Sequence, residues 1–199
     1  MDQTWEKIQH IADAGDGFFR TSEVEAAGIS RANLKKYVDA GKLERASKGI
    51  YMISNGLPDE YALLQARCSK GIFSYGTALY ILGMSDRVPH IIDLTVGQGA
   101  NVATVKKSNP NVRFHYVQPE YYDLGITTAK SPQGAVVRLY DRERCICDLI
   151  RGKDQMEMQL YTQAIKEYFN QKPNSRRLLK YGKVFGIENN IRTYMEVLL

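Results

Sequence analysis

The chain has 199 residues, 44% hydrophobic and 25% charged, with a net charge of +5. That length holds one large domain or two small ones, and the mild positive excess favours a polyanionic partner without naming it. Three cysteines (Cys68, Cys145 and Cys147) are too few and too unevenly placed for a secreted disulfide framework, so reduced thiols in a cytoplasm are expected. The first residues, MDQTWEKIQHIADAG, are charged throughout and contain no secretory apolar core. No apolar run approaches about eighteen residues, so no membrane span is expected.

In chain order, Asp2 or Thr4 can cap a first helix to about Ala14, with Trp5, Ile8, Ile11 and Ala12 at helical spacing. Gly15–Gly17 stops it, and Phe18–Arg20 is a short extended piece. A second helix follows from Thr21 or Ser22 through Ala27, with Ser22 and Glu25 spaced as a capping box. Gly28 supplies a tight turn, and Ser30 caps a third helix ending at Ala40, just before Gly41. Two strand-like runs, Leu43–Arg45 and Gly49–Ile53, are joined by a polar turn at Ala46–Lys48. This order predicts a winged helix-turn-helix over residues 1–57.

The turn-rich stretch Ser54–Asp59 marks the domain boundary, with a second domain over 58–199. There a helix is predicted over Asp59–Ser69, and FSYGTALYILGM reads as a strand end followed by a helix. Strands follow at Ile91–Val96, Val112–Val117 and Ala135–Tyr140, then helices at about 141–151, 154–170, 174–185 and 187–198. The predicted fold class is α+β: a winged helix-turn-helix, then an α+β domain with a mixed or antiparallel sheet and a helical C-terminal tail.

Charge is sorted along the first domain. Arg31 to Lys48 holds six cations against two acids, whereas the thirty residues before Arg31 hold two cations against six acids. On the third helix Leu34, Tyr37 and Val38 share the packed face. Ala32 and Lys36 centre the opposite side, with Arg31, Asn33 and Lys35 flanking it. A small, basic, amide-bearing helix face suits a DNA major groove: Arg can pair with guanine, Asn with adenine, and lysines neutralise phosphates. Ser30 leaves the first helical N–H groups facing a phosphate. Arg45 and Lys48 sit on the wing, the acidic first thirty residues are expected on the far side, and Arg20 is placed to meet a phosphate. A merely solvated lysine face and a protein-interaction winged helix remain alternatives.

A second basic cluster, KPNSRRLLKYGK, holds Lys172, Arg176, Arg177, Lys180 and Lys183 and no acid. It reads either as a solvated face or as a second polyanion contact, with Leu178, Leu179 and Val184 on its packed side. Catalytic signals are weak. Gly97 and Gly99 lack the third glycine of a dinucleotide loop, since Val102 stands there and no helix obviously follows. Cys145 and Cys147 have the wrong spacing for zinc and are expected to be buried. His10, His90 and His115 are scattered, and only Asp93, Glu120 and Asp123 offer a carboxylate convergence. No enzyme activity, cofactor or metal is expected.

The stretches RTSEVEAAGISRANLKKYVDAGKLERASKGIYMI, FSYGTALYILGMSDRVPHIIDLTV and VVRLYDRERCICDLIRGKD together resemble the AbiEi family of bacterial antitoxins. The resemblance implies a winged-helix autorepressor that binds inverted repeats in its own operon promoter. It also implies a cytoplasmic antitoxin that counteracts a nucleotidyltransferase-like toxin, in abortive phage infection, without forming a stable complex. Carried onto this chain, the DNA-reading positions are Arg31, Asn33, Lys35 and Lys36, with Arg45 and Lys48 in the wing and the antitoxin role beyond Pro58. One winged helix reads few base pairs, so two protomers per operator are expected, from a monomer or weak dimer. The alternative is a winged-helix regulator whose second domain senses a ligand or oligomerises, with no toxin.

Overall fold

The structure, a computed structural model, describes residues 2–54 and 59–199. The expected boundary between Leu57 and Pro58 lies outside those residues. Two compact units emerge: Met1–Ser69 with Lys130–Val137, and Lys70–Ala129 with Arg138–Leu199.

In the first unit, α1 (Gln3–Ala14) is capped by Asp2, whose side chain accepts from the Thr4 N–H at 3.1 Å. β1 (Phe18–Arg20) leads directly into α2 (Thr21–Ala26). The capping box is displaced from its predicted place: Glu23, not Glu25, reaches back to the Arg20 N–H at 2.6 Å. The helix begins at Thr21, one of the two expected starts, whose N–H is taken by the Gly49 carbonyl. Gly28, with φ +79°, makes the turn into α3 (Arg31–Asp39), and Ser30 caps α3 by accepting from the Asn33 N–H at 3.3 Å. Gly41, at φ +68°, ends it in a left-handed conformation that a side chain would resist.

β2 (Leu43–Ser47) and β3 (Ile50–Ile53) form the wing, and β3 also pairs with β1, giving the antiparallel order β1-β3-β2. β2 runs two residues beyond expectation, with a bulge between Arg45 and Ser47, so the turn narrows to Lys48–Gly49. One core layer joins Ile8, Ala12, Phe19, Val24, Ile29, Leu34, Tyr37 and Leu43. A second layer, Phe18, Ile50, Met52, Ala62 and Ala135, brings in α4 (Glu60–Arg67) and residues 130–137. α4 was expected in the second domain. Its apolar side, with Leu63 and Ala66, instead covers the sheet face that the three helices leave bare.

The second unit is built on a mixed sheet of order β6-β5-β4-β8-β7. Its strands are β4 (Ile72–Phe73), β5 (Ile92–Gly97), β6 (Val112–Val117), β7 (Ile126–Lys130) and β8 (Val136–Tyr140). β5 and β6 run parallel, as do β4 and β8, while β4 and β5 are antiparallel. α5 (Tyr75–Ile81) follows β4. Two short helices, α6 (Ala103–Ser108) and α7 (Pro119–Tyr122), were not predicted, nor was β7. α6 follows the Gly97–Gly99 turn, where no helix was expected, but it carries no glycine loop at its start. The tail is α8 (Arg142–Arg151), α9 (Met158–Asn170), α10 (Ser175–Val184) and α11 (Glu188–Leu198). α8 is nearly all interior, with Glu143 through Leu149 buried.

Candidate nucleic-acid interface

Leu34 and Tyr37 are buried, and Val38 is packed beside them, so α3 is held by the stripe its spacing predicts. Tyr37 is further tied down by donating its hydroxyl to Asp2 at 2.6 Å and by a tilted ring contact with Trp5, 5.1 Å between centroids. That bond holds the Asp2 carboxyl below its usual range, with a smaller contribution from nearby Lys36. Arg31, Ala32, Lys35 and Lys36 are all exposed, and Asn33 is half-buried. None of the α3 cations is withdrawn into the core.

Arg45 and Lys48 are exposed on the wing, where Arg45 makes one long contact from Nε to the Ser47 carbonyl, 3.4 Å. Between the wing and the N-terminal end of α3 lies an open groove of about 620 Å³. Arg20, Arg31, Arg45 and Lys48 line it, together with Glu25 and Tyr51. Register explains the sheet's share: Arg45 stands opposite Tyr51, so both lie on the groove side of the wing. Lys35 and Lys36 extend the basic surface along α3.

Two positions depart from expectation. The Arg20 guanidinium donates to the Ala66 carbonyl at 2.5 Å, so part of it anchors α4 rather than facing outward. Nor do the early acids all lie on the far side. Glu25 sits in the groove, accepting from Arg31 Nε at 2.6 Å and Nη2 at 3.5 Å. The hydrogen bond and the charge of Glu25 raise the Arg31 pKa. The spacing that suggested a cap with Ser22 hid this role, because the partner lies across the helix-turn-helix.

In the second unit all five cations of the predicted patch are exposed. Asn174 caps α10 by accepting from the Arg177 N–H at 3.0 Å. Arg176, Lys180 and Lys183 follow one side of the helix, whereas Arg177 turns to Asp141 (3.6 Å) and Glu143 (3.5 Å). Leu178 is buried as expected, but Val184 is exposed; Tyr181 and Gly182 supply the packed side instead. Gly182 lets α11 approach closely, since a Cβ there would fall 2.4 Å from Ile191 Cδ1 and push that side chain aside.

The catalytic candidates do not assemble. Asp93 is buried and its Oδ1 receives both Arg113 Nε (2.7 Å) and His115 Nε2 (2.8 Å), while Glu120 and Asp123 are exposed. A buried carboxylate needs such donors simply to remain buried. Tyr75, at φ +45°, stacks 4.1 Å from His115. Cys145 and Cys147 are free and buried, and burial raises both thiol pKa values, Cys147 to about 12, which makes them poor nucleophiles. Their neighbour Arg144 is fully buried. It bonds Asp148 at 2.9 Å and the Leu124 carbonyl at 2.8 Å, and stacks 4.0 Å from the Tyr140 ring. Among the described residues no group of three or more His, Cys, Asp or Glu could hold a metal ion. Nor is any helix among them long and apolar enough to cross a membrane.

A solved structure, the RV2827C protein from Mycobacterium tuberculosis, aligns at a TM-score of 0.59 with 13% identity. The alignment covers 88% of this chain and 69% of that one, a likeness of fold. No curated protein matches the chain. Residues 6–54, which run from within α1 through β3 and include the whole groove lining, match the family described as "Transcriptional regulator, AbiEi antitoxin". Over that N-terminal stretch the chain is thus similar to AbiEi antitoxin transcriptional regulators.

Proposed function

We propose that the chain is a DNA-binding autorepressor and antitoxin, whose winged helix docks α3 in the major groove of operator inverted repeats. The observation that carries this is the common exposure of Arg31, Lys35 and Lys36 on α3 beside a groove flanked by Arg45 and Lys48. Ser30 and the first N–H groups of α3 meet a phosphate, Asn33 and Arg31 face base edges, and the wing follows the backbone. Arg20 lines the groove floor and supplies a phosphate contact only through the N–H groups that Ala66 leaves free. Two protomers occupy one operator, because a single helix spans too few base pairs for useful specificity.

The region beyond Pro58 carries the antitoxin role, in the cytoplasm, against a nucleotidyltransferase-like toxin encoded beside it and without a stable complex. The basic side of α10 (Arg176, Lys180 and Lys183, with Lys172 at its start) is a second polyanion contact; Arg177 contributes less because Asp141 and Glu143 already hold it. Footprinting on the chain's own promoter tests the main reading. Two protected half-sites in inverted repeat are expected, and a single unrepeated site, or no protection, refutes it. Co-expression with the adjacent gene tests the rest. Rescue of growth is expected, and a harmless neighbour favours a regulator without a toxin.

A further inference from the structure

We propose that Glu25 is a positioning residue for Arg31, presenting it end-on to the duplex so that it reads one guanine in each half-site; this rests on the DNA-binding reading above. Arg31 is the first residue of α3, the part of a recognition helix that reaches base edges. Its side chain is 76% exposed, so nothing in the core fixes its direction. What fixes it is Glu25, from the preceding helix α2. The carboxylate takes Nε at 2.6 Å and Nη2 at 3.5 Å, which is one lateral edge of the planar guanidinium. The opposite end, both N–H groups of Nη1 and the second of Nη2, remains free for a bidentate acceptor such as guanine O6 and N7.

The two acids of α2 have separate tasks. Glu23 closes the helix start at Arg20, while the Glu25 side chain reaches across to Arg31. A carboxylate in an otherwise basic groove repels phosphate, so it costs non-specific affinity. Holding Arg31 before DNA arrives offsets that cost by sparing the ordering of a long side chain on binding.

The test is selection of a random-sequence duplex pool by the full chain, followed by sequencing of the bound fraction, for wild type, E25A, E25Q and R31A. Wild type is expected to enrich a guanine at one position of each half-site. R31A loses that preference alone. E25A weakens it about tenfold at the same position while binding non-specific duplex more tightly, and E25Q falls between. E25A selecting the wild-type sequence at every position overturns the proposal, even if it binds more tightly, because Glu25 then only competes with DNA. A wild type that enriches no sequence overturns the duplex reading itself, and the role of Glu25 with it.

Discussion

Replacing Lys35 and Lys36 with alanine should remove a measurable share of the salt dependence of DNA binding, and the structure sets its size. Four cations on the proposed face make no side-chain ion pair among the described residues: Lys35, Lys36, Arg45 and Lys48. Arg31 is engaged by Glu25 and Arg20 by Ala66. Two protomers then offer about eight phosphate contacts, and at about 0.9 counterions per contact log K should fall against log salt with a slope near −7. The double variant removes about four of those contacts, which brings the slope to roughly −4. Both side chains point to solvent, so folding is preserved, and circular dichroism should match the wild type. The assay is fluorescence anisotropy of a labelled promoter duplex across a range of salt concentrations. A flat wild-type response, or a double variant with an unchanged slope, refutes phosphate binding by this face.

Two further outcomes concern the interior. Arg144→Met leaves the buried Asp148 without its closest charge partner, which costs about 3–5 kcal/mol. Thermal denaturation should show a Tm lower by roughly 10–20 °C, with part of that loss recovered in R144M/D148L; an unchanged Tm would mean the pair contributes nothing. Burial raises the pKa of Tyr37, Tyr75 and Tyr181 to about 12. Since the folded value lies above the unfolded value of 10.0, these phenols stabilise the fold below about pH 10, and that contribution is lost as pH rises through about 12. An absorbance titration should therefore show a late-ionising fraction of the thirteen tyrosines, and a single uniform transition near pH 10 would contradict it.

The first domain was legible because its signals are local. Caps at Asp2 and Ser30, glycines at 28, 41 and 49, and a stripe of Leu34, Tyr37 and Val38 each act within a few residues. The second sheet was read only in part. β7 and α7 carry weak periodicity, and β4 is two residues long, so only its pairing with β5 and β8 defines it as a strand. The α10 patch was seen as five equal cations, yet Arg177 differs because two acids from another part of the chain reach it.

Sequence by itself determined the elements of the winged helix and which face of α3 is basic, since helical spacing and capping depend on neighbours along the chain. Tertiary structure alone decided that α4 and residues 130–137 complete the first unit, that Arg20 turns to Ala66, and that Glu25 enters the basic groove. Those outcomes depend on which surfaces remain uncovered once helices and strands pack, and on carboxylates meeting guanidinium groups across a turn. No local pattern of residues encodes either.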